Sequence, residues 1–479
     1  MTQARPQLKR AISGVGFFAL AFGSMIGVGW ITTLNQWFLK AGPGGAIIAF
    51  SAGGILILLI GLCYAELTSM FPVTGGEVAY SYRAFGTSKA FLIGWFLTFG
   101  YLSVSAFEAV SIGIVLTYLF PQLETLPLYT VRGSTVYASH LGLGFIFTAA
   151  ITWINYLGVH FAMRAQIFLT GILIASTLFF VASGIIGGHT RNLNPLLISP
   201  SLASNLEGIL SVFVMAPFWF VGFDTIAQAS EERVRGQRVQ LLGYYIILSI
   251  AGSAVFYILV MIAVGMASPW QTIVQQKLPT AAAFESVFES TAIVNLVLLT
   301  GVIGLLTSWN GFFIAGTRVL FALGRAKIID NRWGQVHHRN GTPSSAILAS
   351  GLITTLAACL GKGALIAFVN VGSFCIAIAF FGVSLSLIQL RTTAPELSRP
   401  YRLPAAKLIA LSAMAGSVFI LAAMLVPWSP ASLSWPLEWV ILIAVTAGGI
   451  VVWIRGGETR RQISETERTR LVLEHHSED

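Results

Sequence analysis

Apolar runs of about 20 residues or more recur along almost the whole chain, and nothing else in the sequence constrains its fold as strongly. A helix of that length crosses the hydrocarbon core of a bilayer and pairs its own backbone groups as it does so. Twelve runs stand out, at approximately 12–39, 44–69, 88–119, 139–157, 165–188, 206–229, 240–266, 291–324, 343–360, 364–390, 405–426 and 434–454. Composition agrees. The chain is 56% hydrophobic and 10% charged, whereas soluble proteins carry about 25% charged residues. A large soluble core could absorb part of that excess but not twelve separate runs. The fold class expected is an all-α membrane protein with twelve transmembrane helices.

Twelve spans put both termini on one side, and the basic residues say which. Of the 28 Lys and Arg, all but Lys40, Arg132, Arg191, Lys277 and Lys362 fall on the side of the termini. The positive-inside rule then predicts cytoplasmic termini in the inner membrane. The same bias explains the net charge of +9 without nucleic acid. The segment Met1–Arg10 is short and basic, and the run after it is longer than the apolar core of a cleavable signal. Cys63, Cys359 and Cys375 lie in apolar segments without metal or disulfide spacing, so no disulfide-linked partner subunit is expected. No metalloprotease helix, nucleophile elbow or phosphate loop appears, so no enzyme is expected. His337-His338 reads as a solvated loop pair.

The first span is interrupted by Gly23-Ser24-Met25-Ile26-Gly27-Val28-Gly29. Glycines this dense weaken a helix and free backbone groups, which at membrane depth must face protein or a polar cavity. The sixth span carries Pro217-Phe218-Trp219-Phe220-Val221-Gly222-Phe223-Asp224, with a proline, a glycine and a carboxylate in succession. Interrupted helices at matching positions of two halves point to inverted repeats around a midplane site. The expected division is a cytoplasmic arm (1–11), a first repeat (12–188), a second repeat (206–390), two added helices (405–454) and a cytoplasmic tail (455–479). So short an arm and tail leave little room for a signalling domain, which weighs against an amino-acid sensor built on a transporter fold.

Unpaired amides after the first break suit a carboxylate, and unpaired carbonyls at the sixth-span break suit an ammonium. An α-amino acid carries both groups. The candidate substrate site is therefore Ser24, Met25, Ile26, Gly27, Val28 and Gly29 with Phe218, Trp219, Phe220, Val221 and Asp224. Glu108, deep in the third span, is added because intramembrane acids are costly and usually functional. Glu108 or Asp224 could carry a coupling proton, and Glu108 could instead meet an amine on the substrate. A structural hydrogen bond to a neighbouring helix is the alternative for each.

These residues resemble those of the amino acid–polyamine–organocation superfamily, in particular its amino-acid permeases. The likeness spans about residues 12–455. Gly23, Ile26, Gly27 and Gly29 resemble its first-helix signature. Tyr64-Ala65-Glu66-Leu67, Pro72, Gly75-Gly76, Tyr80, Tyr82, Phe85 and Gly86 resemble its second-helix run. Gly222-Phe223-Asp224 with Glu231-Glu232, Arg318 to Arg325, Thr342-Pro343 and Arg399-Pro400-Tyr401-Arg402 follow in order. The resemblance implies a five-plus-five inverted repeat with broken first and sixth helices. It also implies that Phe218 gates the substrate.

Three departures qualify it. Trp30 stands where the family usually has an aliphatic residue. The usual proline-containing continuation after Glu232 is absent. Leu173 aligns with a lysine that many proton-dependent members carry in the fifth helix, and leucine can neither stand in for a cation nor titrate. Gly304-Leu-Leu-Thr307-Ser308 resembles a sodium-binding run of the bacterial neurotransmitter:sodium symporters. Carried over, the metal ligands are the Thr307 and Ser308 hydroxyls and the carbonyls of Gly304, Gly23 and Ile26, all hard oxygen donors. Thr307 and Ser308 bonding back to their own helix is the alternative. The expectation is an amino-acid transporter coupled to Na⁺ in preference to H⁺, with no tightly bound cofactor and with the lipid bilayer and a small substrate as its partners. A proton-coupled or exchanging polyamine carrier is the rival. Glu66, Glu231, Glu232, Arg318 and Arg325 form either a charge network closing the inner gate or a solvated rim.

Overall fold

The computed structural model describes residues 5–276 and 278–473. Lys277 and the extreme ends of the arm and tail, 1–4 and 474–479, lie outside them. Nearly everything described is helical. The first span is α1 (Gly14–Met25) and α2 (Gly29–Thr32), continued by α3 (Leu34–Met70). Inside α3, Gly42 leaves the helical region at φ 70°, ψ 168° and Pro43 follows. That turn separates the end of the first span from the second. Glycine is required there, because a Cβ on Gly42 would lie 2.6 Å from the Leu196 carbonyl oxygen.

A short helix α4 (Gly76–Phe85) leads into α5 (Thr87–Leu119). Next comes an antiparallel hairpin, β1 (Pro127–Val131) with β2 (Ser134–Tyr137), so the chain is not purely helical as expected. Arg132 and Gly133 both take positive φ, 48° and 76°, which is the turn that matches the twist of paired strands. Strands this short carry no long apolar run and escape a search for spans.

The order continues with α6 (Ala138–Leu157), α7 (Val159–Gly187), α8 (Leu202–Met215) and α9 (Thr225–Ala229), the last two being halves of one span. Then follow α10 (Gln240–Ala267), the turn α11 (Trp270–Ile273), α12 (Pro279–Phe288) and α13 (Thr291–Arg325). The last long helices are α14 (Ser344–Ala358), α15 (Gly361–Thr393), α16 (Ala406–Leu425) and α17 (Leu437–Arg455), before the tail helices α18 (Gly457–Arg461) and α19 (Glu465–Leu473).

Among the described residues, 11 segments are long and apolar enough to cross a membrane. The remaining apolar helix, α14, has 15 residues, short for a core about 30 Å thick. The α1–α2 segment is 78% buried and α17 only 17%. The broken span is thus central, and α17 lies at the rim. The tail helix α19 packs on the bundle: its Arg468, Leu471 and Val472 are buried, and the Arg5 side chain donates to the Leu471 carbonyl at 3.1 Å. The first and last described stretches, at Arg5 and Leu471, therefore meet at one end of the bundle.

Candidate functional site

The first break falls where the glycines cluster. Helix α1 stops at Met25, Ile26 sits at φ −104°, ψ 83°, and α2 starts at Gly29. Among the described residues, the amides of Gly27 and Val28 donate to no protein acceptor. The Met25 carbonyl accepts from the Tyr257 hydroxyl at 3.0 Å. The carbonyls of Ile26 and Gly27 face α13 at Gly304, where an added Cβ would lie 3.0 Å from each oxygen.

The second break lies beyond Pro217. Residues Ala216–Phe220 tighten into a 3₁₀ turn with Pro217 at its start, a position that needs no amide donor. The chain opens at Val221 (φ −68°, ψ 136°) and turns at Gly222, φ 130°. The two breaks touch: a Cβ on Gly222 would lie 2.8 Å from Ser24 Cβ and 3.0 Å from the Met25 nitrogen. The Trp219 ring covers Gly29, where any Cβ would strike it. Phe220 is fully buried against Phe50 and Tyr257. Phe218 packs, partly exposed, against the cluster that α15, α16 and α17 form around Val371, Met424 and Ile441. The aromatic ring over the first break is thus Trp219, not Phe218, because the 3₁₀ turn directs neighbouring side chains to different faces.

Glu108 is buried beside the same break. Its Oε1 accepts from the Ser308 hydroxyl at 2.9 Å, and its Oε2 has no partner. A Cβ on Gly27 would come within 3.6 Å of that Oε1 and 3.7 Å of Ser308 Oγ. Thr307 instead donates to Gly304 of its own helix at 2.9 Å. The Thr-Ser pair divides, one hydroxyl local and one reaching across to α5.

Next to Gly23 lies a chain of amides. Gln166 donates to the carbonyls of Ala19 and Thr307, both at 3.1 Å, and Asn310 donates to Gln166 at 2.8 Å. Asn155 donates to Asn310 at 2.9 Å. The chain ties α1, α6, α7 and α13 together. Leu173, two turns further along α7, is fully buried among apolar side chains.

Asp224 takes its contacts on another side. Its Oδ1 accepts from the Gly222 amide at 3.1 Å, holding the positive-φ turn, and its Oδ2 accepts from Tyr101 at 2.6 Å. Gln228 bridges from Tyr101 to Glu77. Glu77 was not foreseen as a site residue. It lies in a segment that reads as a loop between spans, and only its complete burial marks it.

At the end where the termini meet, the charges are buried and paired, so they do not form a solvated rim. Arg318 holds Glu232 through two bonds of 2.8 and 3.0 Å. Arg325 holds Glu231 at 2.8 Å, and Arg5 holds it twice at 3.1 Å. The amides of Ala11 and Ile12 bond the Glu232 carbonyl at 2.7 and 2.8 Å, so the arm is laid across the sixth span. Glu66 is paired with Arg391 and Arg399. No group of three or more His, Cys, Asp or Glu side chains that could hold a metal occurs among the described residues.

A multi-pass helical bundle with two interrupted helices packed break against break, sealed at one end by ion pairs, is a membrane carrier. The chain belongs to the amino acid permease family, whose model matches residues 12–449. It is similar to the branched-chain amino acid permease BcaP of Bacillus subtilis, 26% identical, covering 85% of this chain and 86% of that one. It is also similar to the methylthioribose transporter of the same organism, 29% identical over 83% and 84% of the two chains. Cationic amino acid transporter 7 of Arabidopsis thaliana is 24% identical, over 93% and 75%. The chain is a carrier and not an enzyme.

Proposed function

We propose that the chain carries an amino acid across the cytoplasmic membrane by alternating access, with both termini in the cytoplasm. The observation that carries this reading is the contact of the two breaks, Gly222 upon Ser24 and Met25, beside the unpaired amides of Gly27 and Val28. Those amides suit a substrate carboxylate, and the carbonyls of Trp219 to Val221 suit its ammonium, the Phe218 carbonyl being taken by the Val221 amide at 3.4 Å. Trp219 covers the site. A twelve-span, five-plus-five arrangement divided at 12–188 and 206–390 is supported by the five-span separation of the breaks. Contact between Arg5 and Leu471 supports an even number of crossings, since an odd number would part the termini.

Coupling is to a cation, and the proton is favoured. Among the described residues Glu108, which faces the first break, has one oxygen unpaired and no basic partner, and Ser308 spends its hydroxyl proton on the other. A specific observation keeps sodium as the second reading: the carbonyls of Ile26 and Gly27 converge on Gly304, beside Thr307 and Ser308. Na⁺ would there be cargo, held by those hydroxyls and by carbonyls of Gly304, Gly23 and Ile26.

The relatives' names differ in substrate, from branched-chain amino acids to methylthioribose, so the test is a panel. Purified protein in liposomes is given branched-chain, acidic, small polar and cationic amino acids, polyamines and methylthioribose. Each is offered with Na⁺, with a proton gradient, and with neither. Accumulation of an α-amino acid, lost when its carboxylate is amidated, is expected. Equal uptake of the amidated analogue would sink the clamp. Sodium-driven uptake lost in Thr307→Ala and Ser308→Ala would displace the proton reading.

A further inference from the structure

Away from the break stands a second set of buried acids. Glu77 on α4 and Asp224 at the start of α9 are both fully buried. The donors to their carboxylates are neutral: Gln228 to Glu77, and Tyr101 and the Gly222 amide to Asp224. Five arginines at this end are committed elsewhere. Arg5 and Arg325 hold Glu231, Arg318 holds Glu232, and Arg391 and Arg399 hold Glu66. The other titratable groups facing the pair are phenols: Tyr64 of α3, Tyr80 of α4 and Tyr101 of α5. The Tyr80 hydroxyl is turned to Thr68 at 2.9 Å.

Acceptors outnumber donors in this cluster. Among the described residues, Glu77 Oε1 and Gln228 Oε1 are buried without a hydrogen-bond partner, and so is the Tyr64 hydroxyl that faces Glu77, so one free donor stands against two free acceptors. A buried acceptor without a donor costs about 1–3 kcal/mol, and two uncompensated anions side by side cost more. One proton on Glu77 turns an unmatched acceptor into a donor and removes one of two like charges.

We propose that Glu77 and Asp224 hold a single exchangeable proton between them, and that the pair releases it when the end bearing the termini opens. The proposal rests on the carrier reading and adds a proton site distinct from Glu108. Its link to opening is built into the backbone. The segment entering α4 is bolted to the sixth span by Thr74 to Glu231 at 3.0 Å, Gly75 to the Gln228 carbonyl at 3.3 Å and Ser230 to the Val73 carbonyl at 3.1 Å. Glu231 is itself the anchor of Arg5 and Arg325. Unlatching those arginines draws the α4 segment from α9 and admits water to the pair, and a hydrated carboxylate gives up its proton. Burial first, then the neighbouring Asp224 carboxylate, pushes Glu77 up to about 8 in the closed form.

The test uses the full chain in lipid. Infrared spectra at about pH 6 should contain a protonated-carboxyl band that is lost on titration to about pH 9.5 and is missing in Glu77→Gln. Counterflow of the best substrate should vary with pH in the wild type and vary less steeply in Glu77→Gln, where Glu108 is still titratable. Proton-driven accumulation should fall tenfold or more in that variant. Glu77→Asp keeps a titratable carboxyl and should shift the band and the profile without abolishing them, which keeps the test alive if Glu77→Gln does not fold. Bands and pH profiles that neither variant moves would overturn the proposal. Wild-type protein that accumulates no amino acid would sink the amino-acid reading alone, because the infrared titration needs no substrate.

Discussion

Glu232 and Glu77 are equally hidden, at 1% and 0% exposure, yet their surroundings are opposite. Glu232 receives both arms of the Arg318 guanidinium. Glu77 receives the Gln228 amide, which also reaches Tyr101, the donor to Asp224. Glu231 and Glu66 belong with the first kind, each held by two arginines. Glu108 belongs with the second, with a serine as its donor. A paired carboxylate stays charged and fastens helices together. An unpaired one is costly as an anion and gains by taking a proton or meeting a cationic group. The two kinds have different tasks: paired acids seal the end where arm and tail meet, whereas the unpaired ones stand between parts that must move, Glu108 at the first break and Glu77 between α4 and the sixth span.

The comparison breaks most visibly at the paired end. Glu232→Ala strands the fully buried Arg318 and should cost about 3–5 kcal/mol, seen as a large drop in thermal midpoint or in folded yield. Replacing both partners by methionine should recover most of the loss. A double variant as unstable as the single one would show that the pair is not what Arg318 needs.

For the unpaired acids the signature is a pH slope. Glu77 ionises near 4.5 in an open chain and near 8 when folded. Between those values the folded form keeps a proton that the unfolded chain has released. Stability should therefore fall as pH rises through that window, at up to about 1.4 kcal/mol per pH unit for one proton, and level off above it. Thermal unfolding of wild type against Glu77→Gln reads the difference, and parallel curves would contradict it.

Gly222→Ala tests the contact between the breaks. The residue adopts φ 130° and leaves no room against Ser24, so about 1–3 kcal/mol of overpacking is expected, with uptake reduced at least tenfold. Ser308→Ala and Thr307→Ala then sharpen the reading of the Thr-Ser pair. Losing the Ser308 donor leaves Glu108 Oε1 unpaired, at about 1–3 kcal/mol, and should move the pH profile of transport. Thr307→Ala loses a bond within its own helix, about 1 kcal/mol, and should leave that profile unchanged. Arg5→Ala should have the smallest effect, about 1 kcal/mol, because Arg325 still holds Glu231.

The sequence by itself determined eleven of the spans, the interruption of the first within Gly23–Gly29 and the family. Each follows from a local rule. A bilayer demands a certain length of apolar helix, and glycines in series weaken one wherever they occur. Other features were decided only in three dimensions. Pro217 drew attention to the sixth span, but the chain opens at Val221 and Gly222, where Ser24 presses against it. Phe218 and Trp219 are adjacent aromatics in sequence, and only packing says which one covers Gly29. Glu77 looked like a loop residue until Gln228, 151 positions away, reached it, and Ser308 meets Glu108 across 200 positions. The ionic fate of a buried acid depends on which distant side chain the fold brings beside it, and no local pattern in the chain encodes that neighbour.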